Sequence, residues 1–193
     1  MHNKPNVYYF INHFNSDEIK YLNKNISLIY RNYKDKLDIN IISNIRDLCI
    51  QQKRKFYISN NLKVARKLKL DGVYIPSFNN LLNFRNVAVP KNFKIIGSAH
   101  NKIQLINKTS QGCSEIFITP IFKTKKTNFF LDISKFNLIS NSSNIKIIAL
   151  GGINSSNFFR LRAVNCSGFG AIEWIKKNRP KQIGRLFKSL STN

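Results

Sequence analysis

The chain has 193 residues, with 32 lysines and arginines against 9 aspartates and glutamates and a formal net charge of +23. Its length suits one domain, residues 1–193, and a hydrophobic fraction of 42% supports a real core and excludes wholesale disorder. So few acids leave a carboxylate-rich metal site few candidate ligands, while the charge biases the chain toward anions such as phosphates, nucleic acid or a membrane surface.

In chain order, residues 7–11 (Val-Tyr-Tyr-Phe-Ile) read as a first strand and residues 26–30 as a second. Residues 38–52 read as a helix, with Ile39, Ile42, Ile45 and Leu48 on one side. A third strand at 56–58 leads to a helix over 61–69, with Leu62, Ala65 and Leu68 at helical spacing. Asp71-Gly72 turns the chain into a fourth strand at 73–75, ended by Pro76. A fifth strand at 94–97 precedes a helix over 101–109 that closes at Gln111-Gly112. A sixth strand at 116–118 stops at Thr119-Pro120, and 130–140 reads as helix. A seventh strand at 145–150 ends in Gly151-Gly152, after which Ser155 or Ser156 caps a helix to about Val164. An eighth strand follows at 169–172, and a last helix at 180–190 has Pro180 in its first turn.

Eight strands with intervening helical segments imply parallel pairing, and near-continuous apolar strands imply a sheet buried on both faces. The expected fold is α/β, a single compact (β/α)₈ TIM barrel, ahead of a doubly wound open sheet. No linker rich in Pro, Gly or Ser divides the chain. The N-terminus lacks a signal-peptide pattern, and no window holds 18 apolar residues, so a membrane is not an expected partner. Cys49, Cys113 and Cys166 are widely spaced with no CxxC, which points to reduced thiols and a cytoplasmic location. The basic runs at 53–55, 66–69, 123–126 and 176–188 are scattered and come with no recognition motif. Most of their lysines read as solvated surface, with 123–126 alone among the runs at a strand end, and nucleic-acid association ranks last among the functions.

In a barrel the chemistry lies where strands end and βα loops begin. Those positions hold Arg31, Asn60-Asn61, residues 76–79, Ser98 to His100, residues 119–127, Gly151 to Asn154 and Glu173. They are mostly neutral polar or basic, which suits anion binding and supplies no general-base pair. Gly151-Gly152 between a strand and a helix lets backbone N–H groups approach a phosphate. Glu173, in the companion loop, places an anion where a phosphate prefers a hydroxyl or an N–H. His100 reads as a capping or packing residue, nothing pairs with His2 or His13, and Trp174 reads as packing.

These strand ends resemble the thiamine-phosphate synthase and thiazole tautomerase family over almost the whole chain. Asn60-Asn61 resembles the family's Asn-Asp, and residues 71–74 (Asp-Gly-Val-Tyr) its Asp-Gly-Val-His. Residues 96–101 resemble its Ser-x-His stretch, 119–124 (Thr-Pro-Ile-Phe-Lys-Thr) its Gly-Pro-Ile-Phe-Pro-Thr, and 149–153 its Ala-Ile-Gly-Gly-Ile. The resemblance implies thiamine biosynthesis, with hydroxymethylpyrimidine diphosphate joined to thiazole phosphate to give thiamine phosphate and diphosphate. It implies small phosphorylated substrates and Mg²⁺. It places Arg31, Ser98 and Lys126 in catalysis, and Asn60, Thr124, Lys125, Thr127, Gly151, Gly152, Ile172 and Glu173 around the substrates.

Departures fall where the chemistry is. The two family aspartates that hold Mg²⁺ align with Asn61 and Asn79, and neutral amides are poorer Mg²⁺ ligands than carboxylates. The Gln-x-Arg-x-Lys clamp becomes Ile29, Arg31 and Tyr33, and the lysine of the Thr-x-Thr-Lys loop is displaced within residues 124–127. The tautomerase histidine falls at Pro120, which transfers no proton. The expectation is therefore a divergent synthase of altered activity, in which Arg31, Lys123, Lys125 and Lys126 neutralise the diphosphate. A non-catalytic barrel that binds a phosphorylated or pyrimidine ligand is the alternative.

Overall fold

The computed structural model describes residues 5–33, 36–82, 84, 87–125 and 127–177. The last helix expected from the sequence, at 180–190, lies outside them, as does Lys126. Eight parallel strands close into a barrel in chain order: β1 Asn6–Ile11, β2 Ile26–Tyr30, β3 Phe56–Ser59, β4 Gly72–Ile75, β5 Lys94–Ala99, β6 Glu115–Ile118, β7 Lys146–Leu150 and β8 Gly168–Gly170. Closure comes from β8 pairing with β1, with Val7 opposite Phe169. The barrel fold expected from the sequence is thus the one observed, and the open sheet is not.

Alternation along each strand divides the core in two. Tyr8, Phe10, Ile29, Tyr57, Tyr74, Ile96, Phe117, Ile148 and Leu150 fill the barrel interior. Val7, Tyr9, Ile11, Leu28, Ile58 and their counterparts face the surrounding helices. Both sets are buried, which is why the strands read as unbroken apolar runs. Interior aromatic rings meet edge-on, as Phe10 does with Tyr74 at 5.3 Å and Tyr8 with Phe117 at 5.1 Å.

A buried carboxylate closes the lower end of the interior. Glu115 is 1% exposed and accepts hydrogen bonds from Tyr8 and Lys94, with Asn6 Nδ2 at 3.4 Å. Burial, then Tyr57 and Glu115, push the Tyr8 phenol well above its usual range, so it stays protonated and donates to the carboxylate. A cavity of about 550 Å³ opens below this network, lined among others by Lys55, Lys91, Lys94 and Lys146. Part of the chain's positive charge therefore collects at the barrel end opposite the βα loops.

The helices are α1 Ser16–Tyr21, α2 Ile39–Gln51, α3 Leu62–Lys67, α4 Lys102–Ser110, α5 Asp132–Ser140 and α6 Glu173–Lys177. Side chains of Asn15, Asp38, Asn61 and Asn101 cap the first four. Four expectations need correction. Helix α1 has no counterpart in the sequence reading, because only Ile19 of its six residues is buried. The helix expected after β7 is a 3₁₀ turn at Phe158–Ala163, and neither Ser155 nor Ser156 caps it: Asn154 instead takes the Ser156 N–H, and Asn157 takes the Asn154 N–H. Strand β8 ends at Gly170, so Ile172 is an exposed loop residue rather than a strand residue. Arg54, in one of the basic runs read mostly as solvated surface, is 4% exposed, with its guanidinium bonded to the carbonyls of Leu22, Asn23 and Ile26 and to Gln52 Oε1.

Trp174 packs on Phe158 and Phe169, the core role expected of it. The three thiols are free, and burial pushes those of Cys49 and Cys113 up to about 12, which keeps both unreactive. Among the described residues no helix is long and apolar enough to cross a membrane.

Candidate functional site

The loops at the carboxyl ends of the strands form one mouth with two sides. On the side of β2 to β5, Arg31 follows β2, its guanidinium 5.2 Å over the Phe10 ring and its Nε 3.5 Å from Asn12 Oδ1. Tyr33, two residues on, accepts a hydrogen bond from Ser59 Oγ at 3.1 Å and meets Phe78 edge-to-face at 5.4 Å. Burial pushes the Tyr33 phenol up, against smaller opposing effects of Ser59 and Arg31. Asn60 has φ 59 and accepts from Asn79 Nδ2 at 2.8 Å, which ties the β3 and β4 loops together. Ser98 is 3% exposed and its Oγ accepts from the Tyr74 hydroxyl at 2.9 Å.

On the side of β6 to β8, the Gly151-Gly152 turn sits directly against the β6 loop. Both glycines have positive φ, 95 and 72. A Cβ on Gly152 would lie 2.4 Å from the Phe122 carbonyl oxygen and 2.5 Å from that of Lys123. Only glycine adopts this backbone at so close an approach. The Gly152 carbonyl is held in turn by Asn157 Nδ2 at 2.8 Å. Replacing Gly152 with alanine should destabilise the fold by about 1–3 kcal/mol, from the crowding of a packed site. Thermal unfolding should then shift down by several degrees, and an unchanged midpoint would contradict the contact.

Beyond that root the β6 loop reaches into solvent. Thr124 Oγ1 accepts from the Thr127 N–H and Thr127 Oγ1 from the Phe129 N–H, which folds the segment back on itself. Lys125 is 80% exposed and lies 3.6 Å from Glu173, itself 63% exposed at the start of α6. Glu173 is therefore turned largely to solvent, beside a lysine of the β6 loop. His100 joins the two sides, its Nδ1 2.7 Å from the Thr119 carbonyl.

The structure thus brings Arg31, Asn60 and Asn79 to one side of the mouth and Thr124, Lys125, Thr127, Gly151, Gly152 and Glu173 to the other. Ser98 stands below its first side, within the barrel. Tyr33, at the clamp position, and Phe78, within residues 76–79, were both at expected strand ends, but their packing against each other was not anticipated. Their signal is two large aromatic residues in loops that directly follow strands.

The donors at the two positions that the resemblance assigns to the metal do not fit Mg²⁺. Asn61 Oδ1 is used to cap α3 through the Val64 N–H, and Asn79 Oδ1 accepts the Leu81 N–H. Glu173 stands at the mouth beside Lys125, 3.6 Å away. No group of three His, Cys, Asp or Glu side chains comes together among the described residues. Two neutral amides already engaged with backbone N–H groups make a poor site for a hard cation that favours carboxylates.

Fold and mouth define a parallel (β/α)₈ barrel with basic and amide groups at the ends of its strands and a Gly-Gly turn on the same face. Within that class, the chain belongs to the thiamine monophosphate synthase family, whose model matches residues 21–175. A thiamine-phosphate synthase of Pelagibacter ubique is 29% identical over 196 residues, covering 95% of this chain and 93% of that protein. A thiamine-phosphate synthase of Prochlorococcus marinus is 29% identical over 160 residues, covering 80% of this chain and 46% of that protein. This chain therefore spans less than half the length of the Prochlorococcus relative. Among solved structures, a thiamine phosphate pyrophosphorylase from Pyrococcus furiosus superposes with a TM-score of 0.77 at 17% identity, over 100% of this chain and 99% of that one. KGPDC from Streptococcus mutans gives 0.72 at 13% identity, over 97% of each chain. These two likenesses concern the fold alone.

Proposed function

We propose that the chain is a thiamine-phosphate synthase that neutralises its leaving diphosphate with side-chain cations in place of directly ligated Mg²⁺. The observation that carries this reading is the convergence on one barrel face of Arg31, the lysine-bearing β6 loop and the Gly-Gly turn. Family membership supplies the reaction. Hydroxymethylpyrimidine diphosphate loses diphosphate together with the bonding electron pair, and the thiazole ring of thiazole phosphate supplies the pair for the new bond. Charge develops on the departing diphosphate, so donors fixed at that position lower the barrier. Arg31 provides a planar fork of donors, and Lys123, Lys125 and Lys126 provide point charges. Gly151 and Gly152 present backbone N–H groups to the thiazole phosphate, and Asn60, Thr124 and Thr127 supply neutral donors. The family uses Mg²⁺ generally. The amides at positions 61 and 79 are the reason for assigning neutralisation to lysine and arginine here.

Formation of thiamine phosphate from the two substrates, assayed with and without EDTA, tests the reading. Product should form and persist within about twofold on chelation. Turnover that vanishes with EDTA would overturn the metal-free part alone. Binding of both substrates by calorimetry without any product would replace the synthase with a non-catalytic binding barrel, a reading favoured by the same loss of carboxylates.

A further inference from the structure

Helix α4 carries a lysine that the mouth's chemistry does not use. Lys108 lies three residues after Leu105 on the buried face, is 0% exposed, and pairs with no carboxylate among the described residues. Its Nζ donates to the Asn79 carbonyl and, at 2.9 Å, to Gln111 Oε1. Gln111 is buried too, and its Nε2 donates to the Asn79 carbonyl at 2.9 Å and the Leu81 carbonyl at 2.7 Å. The lysine stem passes over Gly97 of β5, where a Cβ would lie 3.0 Å from Lys108 Cδ and 2.8 Å from Cys113 Sγ. Strand and helix together leave room for this one side chain to reach the β4 loop.

Burying an ammonium group with only carbonyl and amide oxygens around it is costly, and an apolar residue of similar length would avoid that cost. What the lysine and glutamine accomplish instead is specific: three hydrogen bonds converge on two carbonyls of one loop. That loop is the segment whose side chains tie the β2 to β4 side of the mouth together, Asn79 to Asn60 at 2.8 Å and Phe78 to Tyr33 at 5.4 Å. The clasp grips the backbone from beneath while the two side chains stand above it.

We infer that Lys108 and Gln111 are positioning residues that fix residues 78–81, so that Phe78 and Asn79 form the mouth wall beside Tyr33 and Asn60. The inference rests on the synthase reading for its kinetic consequence and on geometry alone for the loop. Gln111→Glu separates positioning from stability. It gives Lys108 a carboxylate partner, yet it removes both N–H donors and sets a negative charge against the two carbonyls. The variant should unfold within a few degrees of the parent while amide hydrogen exchange at 78–81 accelerates about tenfold or more. KM for hydroxymethylpyrimidine diphosphate should rise about tenfold, with KM for thiazole phosphate within twofold. Lys108→Met, in which the stem is kept, should show the same exchange pattern. A folded Gln111→Glu protein with unchanged exchange at 78–81 and both KM values within twofold would overturn the clasp. If the parent makes no thiamine phosphate, the synthase reading fails separately and the exchange measurement still decides the clasp.

Discussion

On the proposed synthase reading, replacing Arg31 with alanine should lower kcat/KM for thiamine phosphate formation by about 10²–10³, the usual cost of removing one preorganised donor from a developing anion. The backbone sets this residue in place, because the Arg31 N–H donates to the Ile11 carbonyl at 2.8 Å and continues the β1–β2 ladder past the end of β2. The Phe10 ring and Asn12 then orient the guanidinium. Arg31→Lys should recover only a minor part of the loss, since an ammonium lacks the planar fork that matches two phosphate oxygens. The half-buried side chain contributes little to packing, so the unfolding midpoint should move by no more than a few degrees. A kcat/KM within fivefold of the parent would remove Arg31 from the reaction.

The largest effect on stability is expected at Arg54. Its guanidinium gathers the carbonyls of Leu22, Asn23 and Ile26 between α1 and β2 and locks against Gln52 at the end of α2. Arg54→Ala strands three partly buried acceptors at once, each of which costs on the order of 1–3 kcal/mol when left unmade. Allowing for water entering the space, the loss should be about 3 kcal/mol. For a domain of this size that corresponds to a midpoint lowered by roughly 6–12 °C. Calorimetric or denaturant unfolding reads it directly, and a shift under 2 °C would show that water satisfies the carbonyls without the arginine.

These two arginines illustrate what could be read before the structure. Arg31 follows a strand run directly, so its place at the mouth was legible from the pattern of a parallel barrel. Arg54 sits in a run of three basic residues that looks like solvated surface. Its partners are backbone carbonyls some thirty residues earlier, and composition carries no trace of them. Lys108 is intermediate, since its spacing from Leu105 places it on the apolar face of α4, a signal the charge obscured. The eight strands were legible because burial on both faces leaves unbroken apolar runs, as at 73–75 and 116–118. The 3₁₀ turn at Phe158–Ala163 was not, because Asn154 and Asn157 bond to nearby backbone and displace the serines from capping. The identity of the mouth loops was legible, whereas the pairing of Asn60 with Asn79 and of Lys125 with Glu173 depends on neighbours set by barrel closure.

The exposure of Lys125 has a consequence beyond the geometry of the mouth. A metal ion gripped by carboxylates responds to the supply of that metal. A lysine that stands 80% in solvent, beside a partner that is 63% exposed, responds instead to dissolved salt. On the proposed reading, the chain's dependence on an inorganic nutrient is exchanged for a sensitivity to the ionic strength of its surroundings. On that reading its salt dependence would be set by dissolved ions as a whole, whereas neutral osmolytes would leave it unchanged.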